Sequence, residues 1–199
     1  MQIDSVGIIL LAAGASARMG EPKQLLRFQG ETLARRAAKI ALAVSARVVV
    51  TLGARIEITR NEVEDLPVEI AENVNWKAGM SGSIKVGLEK LLSDSNELKA
   101  VIVMVCDQPL VDEITLGKII KTFGQTNALI VACEYQNTLG VPALFHRKLF
   151  PELLALDAQT GAKRLIKKYH AQTATVLFPE GAFDVDTPTD YENLVKKFS

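Results

Sequence analysis

The most constraining stretch of the chain is Leu10 to Leu26, LLAAGASARMGEPKQLL, where an apolar run breaks into a loop of small residues. A loop that wraps a chain of phosphates must bring its backbone N–H groups close, and Ala12, Ala13, Gly14, Ala15 and Ser16 are small enough to allow it. Arg18 and Lys23 add charge. Arginine offers phosphate oxygens a planar fork of donors, and lysine offers a mobile point charge. The stretch carries neither G-x-x-x-x-G-K-[ST] nor G-x-G-x-x-G, so it reads as a third kind of nucleotide-triphosphate grip. The residues before it, Val6–Leu11, form a continuous apolar run that predicts a strand buried on both faces of a parallel sheet.

Downstream the pattern alternates. Glu31–Val44 places Leu33, Ala37, Ile40, Ala41 and Val44 at helical spacing with Arg35, Arg36 and Lys39 opposite. Arg47–Leu52 predicts a strand, a weakly amphipathic stretch runs to Asp65, and Val68–Ala71 predicts a further strand. A helix over Met80–Leu92, a strand over Ala100–Cys106, a helix over Val111–Phe123 and a strand over Ala128–Cys133 follow. The pattern loosens around Gly140, Pro142 and Phe145, as at an insertion. Helices over Arg147–Leu156 and Thr160–Tyr169, a strand over Thr173–Phe178 and a helix over Pro188–Phe198 complete the chain. Such alternation predicts an α/β layered fold, a mostly parallel sheet flanked by helices with right-handed crossovers. With 199 residues, 48% hydrophobic content, and no repeat or linker, one domain over residues 1–199 is expected.

Lys and Arg number 23 and Asp and Glu 23, a balance that argues against a duplex-binding protein and for a small anionic ligand. Cys106 and Cys133 sit in apolar runs without metal-ligand spacing, and read as buried reduced thiols. The N-terminal apolar run is too short to span a bilayer and lacks a basic flank, so a cytoplasmic protein without membrane attachment is expected.

In a parallel sheet, ligands sit beyond the carboxyl ends of the strands. The loop over Ala13–Arg18, Asp107 after the most apolar strand, and Asp184 with Asp186 near the last strand all fall there. Asp107 suits either a cap or a metal ligand, since magnesium takes one or two protein carboxylates plus substrate phosphates. Asp184 and Asp186 lie two apart, hence on opposite faces if extended; Asp186 is the expected second ligand, with Asp184 or Asp190 capping the helix near Pro188. NWKAGMSGSI (Asn75–Ile84) opens a helix, where Gly79, Ser81 and Ser83 suit either an anion or a base edge, or an ordinary serine cap. Trp76 reads as packing rather than stacking. His146 and His170, placed in two different helices, have no partner acid at a telling spacing. TLGVPALF (Thr138–Phe145) and DAQTGAKRL (Asp157–Leu165) suit an acceptor pocket.

Taken together, LAAGASARMGEPKQLL, NWKAGMSGSI, CDQP (Cys106–Pro109), GVPALF, TGAKRL and DVDTPTDY (Asp184–Tyr191) resemble the nucleotidyltransferases that attach a nucleotide to molybdenum cofactor. The resemblance implies a single-domain, Rossmann-like nucleotidyltransferase fold, Mg²⁺ dependence, and transfer of NMP from an NTP with release of pyrophosphate. It implies catalytic roles for Arg18, Lys23 and Asp107, metal binding by Asp107 and Asp186, and substrate contacts from Leu11, Ala12, Ala13, Gly14, Ser16, Gly79, Ser81, Ser83, Gln108 and Pro142. Within the family, LAAG with Pro22 before Lys23 is similar to the cytidylyl-transferring type, implying CTP as donor and the molybdopterin form of molybdenum cofactor as acceptor. Val141 departs from the Gly-His-Pro turn usual in that family. A molybdenum hydroxylase is the implied recipient of the product, and a non-catalytic carrier that delivers the cofactor to such an enzyme is the competing expectation. An NAD-dependent oxidoreductase is disfavoured, because Arg35, Arg36 and Lys39 stand where a ribose-binding acid is expected.

Overall fold

The computed structural model describes residues 5–94, 97–157 and 161–198. In chain order the elements are β1 (Val6–Ala12), β2 (Arg27–Phe28), β3 (Glu31–Thr32), α1 (Leu33–Val44), β4 (Val48–Leu52), α2 (Ile56–Arg60), β5 (Glu69–Glu72), α3 (Met80–Asp94), β6 (Ala100–Val105), α4 (Glu113–Gln125), β7 (Ile130–Tyr135), β8 (Thr138–His146), α5 (Phe150–Leu154), α6 (Lys163–Lys168), β9 (Thr173–Leu177) and α7 (Pro188–Phe198). Seven strands form one sheet in the order β5-β4-β1-β6-β8-β7-β9. Only β8 runs antiparallel to its neighbours. The expected α/β architecture with a mostly parallel sheet is therefore the one observed. From β1 the chain steps outward to β4 and β5 and then returns to the other side of β1 as β6, so the winding reverses between β1 and β6. A crevice opens at the carboxyl ends of strands at such a reversal.

The central strands are apolar along their length because helices cover both faces. One face packs Ile8, Leu10, Val50, Ile102 and Met104 against Ala34, Ala38 and Ala41 of α1 and Leu116 and Ile119 of α4. The other packs Ile9, Leu11, Val49, Val101 and Val103 against Ile84, Leu88 and Leu91 of α3 and Leu153 of α5. Gly87 lets α3 lie flush on the sheet: a Cβ there would stand 2.6 Å from Ile9 Cγ2. Among the described residues no helix is long and apolar enough to cross a membrane. Cys106 and Cys133 are free and buried, and burial pushes each thiol up to about 12, with Asp107 adding to the effect at Cys106.

Several boundaries differ from expectation for identifiable reasons. The helix expected from Glu31 starts at Leu33, because Gln29 and Gly30 adopt left-handed conformations that fold β2 and β3 into a two-residue hairpin, and Thr32 then caps Arg35 N–H. The loosened stretch around Gly140 is strand β8, joined to β7 through left-handed Gln136 and Asn137. Pro142, which lacks a ladder donor, falls where the register between β7 and β8 shifts. His146 is not helical. It ends β8, and its Nδ1 accepts the Lys148 N–H at 3.0 Å. The helix expected from Arg147 is a 3₁₀ turn followed by α5, and the one expected from Thr160 is α6, with Thr160 itself outside the described residues.

A third, smaller cluster brings distant parts of the chain to the crevice. Met19, Leu26, Phe28 and Leu33 pack with Val185 and Leu194 of the C-terminal segment. Val185 is fully buried, and its N–H donates to Asp107 O at 2.9 Å. That single residue fixes Asp184 and Asp186 beside the end of β6.

Candidate active site

The loop after β1 is held from beneath by one side chain that the motif analysis passed over. Gln24 is 1% exposed. Its Nε2 donates to Ala12 O at 3.1 Å and to Gly14 O at 2.7 Å, and its Oε1 accepts from Ser16 Oγ at 3.3 Å. Ser16 Oγ in turn accepts the Lys23 N–H at 2.9 Å. Ser16 itself turns the chain at a φ of 55°, and its carbonyl accepts from Met19 and Gly20. The Ala12, Ala13, Gly14 and Ser16 carbonyls are thus engaged, while no acceptor among the described residues meets the N–H groups of Gly14, Ala15, Ser16, Ala17 or Arg18. A row of free donors is what an anion needs. Gly53 closes the loop's other side, since a Cβ there would stand 2.6 Å from Trp76 Cβ and 2.8 Å from Ala13 O.

The charged residues converge 84 and 163 positions along the chain from Lys23. Lys23 Nζ donates to Asp107 Oδ2 and, at 3.0 Å, to Asp186 Oδ1, while Arg18 Nη2 pairs with Asp186 Oδ2 at 2.8 Å. Burial pulls the Lys23 ammonium down, but contact with Asp107 and then Asp186 outweighs it and holds the group well above the usual lysine range. Asp184 also feels the cluster. Desolvation and then Asp107 push its carboxyl up to about 6, but the residue is exposed, and with buried Val185 between the two acids it is Asp186 that meets Lys23 and Arg18, as the alternation predicts. Asp190 supplies the helix cap: its carboxylate accepts from Thr187 N at 2.8 Å and Thr187 Oγ1 at 2.7 Å. Because one ammonium touches both Asp107 and Asp186, their oxygens aim at a common cation position. Two hard oxygen donors suit magnesium or manganese when phosphate and water complete the shell. Among the described residues no group of three or more His, Cys, Asp or Glu forms a fuller cage.

Beside this cluster lies a cavity of about 330 Å³ lined by Leu11, Ala12, Ala13, Gly14, Lys23, Gly79, Ser83 and Asp107. Trp76 and Lys77 form part of its wall, with Lys77 Nζ 5.5 Å from the Trp76 ring centre, so Trp76 faces the cavity as well as packing. Gly79 reaches its wall position at a φ of 122°, open only to glycine. Four expected contact residues point elsewhere. Ser16 stays within its loop. Ser81 Oγ donates to Asp157 O at 2.6 Å and accepts from Gly161 N, pinning the segment before α6. Gln108 is buried and donates to Gly181 O at 3.0 Å. Pro142 is buried in β8, whereas Gly140 and Val141 line a second cavity of about 540 Å³ with Tyr135, Ala162 and Lys163. The two cavities share Gly79 and Met80 as a common wall.

The loop with its unpaired donors and the carboxylate–ammonium cluster thus lie together at the switch point of the parallel sheet, where ligands bind in open sheets of this kind. Residues 8–174 match the family described as MobA-like NTP transferase domain, and the chain belongs to that family. Molybdenum cofactor guanylyltransferase of Vibrio cholerae is 23% identical over 96% of this chain and 91% of its own length. Nicotine blue oxidoreductase of Paenarthrobacter nicotinovorans is 33% identical over 56% of this chain, a match spanning 54% of that protein. The crystal structure of Rv0371c from Mycobacterium tuberculosis H37Rv superposes with a TM-score of 0.81 at 28% identity, covering 98% of this chain and 100% of that one. A complex of Rv0371c with manganese gives 0.78 at 26% identity, covering 97% and 99%.

Proposed function

We propose that this chain, as one domain, transfers CMP from CTP to the terminal phosphate of the molybdopterin form of molybdenum cofactor, with release of pyrophosphate. The observation that carries the proposal is the meeting of Lys23, Asp107 and Asp186 at the mouth of a cavity floored by Leu11–Ala15. In this reading Ala12, Ala13 and Gly14 approach the base and ribose, Arg18 and Lys23 hold the triphosphate, and the free N–H groups of the loop bind phosphate oxygens. Asp107 and Asp186 hold Mg²⁺, which when bound supplies charge to offset that building on the α-phosphate oxygens. The acceptor occupies the second cavity, where Val141 offers an apolar contact in place of an imidazole, and its phosphate oxygen attacks the α-phosphorus as the bond to the β-phosphate bridge breaks. An already anionic nucleophile needs no histidine base, so positioning and charge carry the rate.

CTP is preferred because Ala13, which lines the cavity, stands in the LAAG stretch similar to the cytidylyl-transferring type. The guanylyltransferase relative makes GTP the specific alternative. The proposal includes a cytoplasmic setting and a molybdenum hydroxylase as recipient of the product. Its test is a panel of four NTPs with Mg²⁺ or Mn²⁺ and purified molybdopterin, followed by pyrophosphate release. CTP-dependent release that disappears in Asp107→Asn supports it; binding of CTP and cofactor without any release would make the protein a carrier.

A further inference from the structure

We infer that Gln24 is the positioning residue of the triphosphate cradle, an inference that rests on reading the loop as a phosphate site. A glutamine 99% removed from solvent at the edge of a charged cleft must have its amide satisfied, and here every one of its bonds goes to the cradle or its neighbours. Nε2 spans the last residue of β1, Ala12, and the middle of the loop, Gly14, at 3.1 and 2.7 Å. Oε1 takes the Ser16 hydroxyl, and through it the backbone N–H of Lys23. One amide thus ties three parts of the site together: the strand end beneath the base, the donor row, and the residue whose ammonium bridges Asp107 and Asp186.

The polarity of these bonds matters as much as their number. By donating to the Ala12 and Gly14 carbonyls, Gln24 holds those oxygens on its own side of the loop, and the N–H groups from Gly14 to Arg18 are left without an acceptor among the described residues. A carbonyl turned outward would present a partial negative charge to a phosphate. Glutamate at this position has the same shape but no donor, and would place a carboxylate beneath two carbonyls. Leucine fills the volume but leaves those carbonyls without a partner, which strongly favours a different loop conformation.

The test uses the full chain and inorganic tripolyphosphate as probe, so that it stands apart from any assay of CMP transfer. Wild type is expected to bind tripolyphosphate in calorimetry. Gln24→Leu and Gln24→Glu should weaken it about 30-fold or more, equivalent to about 2 kcal/mol, with Glu the worse of the two. Ser16→Ala, which cuts only the link to Lys23, should cost less than tenfold by the same scale. In steady-state assays the KM for the nucleotide should rise while the KM for the acceptor stays within about twofold. A purely structural role would lower the folded fraction and kcat and leave both KM values alone. Unchanged tripolyphosphate affinity in folded Gln24→Leu, or in Gln24→Glu should the leucine variant not fold, overturns the inference. If no NTP supports transfer yet tripolyphosphate binding depends on Gln24, the proposed function falls and this inference stands.

Discussion

Replacing Lys23 by methionine keeps an unbranched stem and removes the cation that Asp107 and Asp186 share. The Lys23 and Asp107 side chains are 14% and 18% exposed and Asp186 33%, so the cluster is neither a surface pair nor a deeply buried one. Exposed ion pairs contribute ~0–1 kcal/mol, whereas unpairing a buried charge costs ~3–5 kcal/mol. Intermediate burial puts the loss near ~2 kcal/mol for metal-free protein. For a chain of this size that corresponds to a fall in Tm of roughly 4–8 °C. Millimolar Mn²⁺ should restore the loss, and should raise the Tm of Lys23→Met by more than that of wild type, because in wild type the ammonium competes for the same two oxygens. Thermal melts in EDTA and in Mn²⁺ read both effects. A variant that melts with wild type in EDTA, or that gains no more from Mn²⁺ than wild type does, refutes the shared-cation account of Asp107 and Asp186. Transfer activity should meanwhile fall by about 10²-fold or more, the scale for losing one charged donor to developing charge.

Two further perturbations probe other levels of the structure. Ala13→Gly trims a residue that lines the cavity, and the ratio of kcat/KM for CTP to that for GTP should fall by about tenfold, the worth of a methylene-sized change in a pocket; an unchanged ratio would detach base choice from Ala13. At His146, burial and then Lys148 hold the imidazole below its ordinary 6.5, and Nδ1 can accept the Lys148 N–H only when neutral. A depressed folded pKa means that the unfolded state binds the proton first, so the stability this cap contributes is present above about pH 6.5 and is lost as pH falls through the folded value. His146→Asn, which caps without titrating, should therefore flatten the wild-type decline in Tm between about pH 7 and 5; parallel profiles would count against the cap.

Much of the fold was readable because its central strands are buried on both faces, so Val6–Leu11 and Ala100–Cys106 appear as unbroken apolar runs. The crevice was readable for the same reason, each run ending abruptly in Ala13 or Asp107. Strand β8 was not, because it carries Gly140 and Pro142, both of which weaken strand signals, and the tight turn at Gln136–Asn137 lacks the usual glycine. Within the site, charge and motif spacing singled out Arg18, Lys23, Asp107 and Asp186, all of which meet. Side-chain direction was the part that motifs do not encode. Ser81, Gln108 and Pro142 sit in matching motifs yet turn to backbone partners or into the sheet. Gln24 gives no periodic or charge signal at all, and its place is set by the fold beneath the loop. Lys77 and Trp76 reach the cavity because Gly53 lets β4 end against Ala13 and Trp76.

The central claim is that Lys23, Asp107 and Asp186 form a working transfer site rather than a stabilising ion cluster. Its most direct measurement is pyrophosphate release by purified protein supplied with molybdopterin, Mg²⁺ and each NTP in turn, run beside Asp107→Asn and Asp186→Asn. The account predicts release that depends on the cofactor, is greatest with CTP, and falls by about 10²-fold or more in both variants. No release with any nucleotide, or undiminished release from either variant, would contradict it.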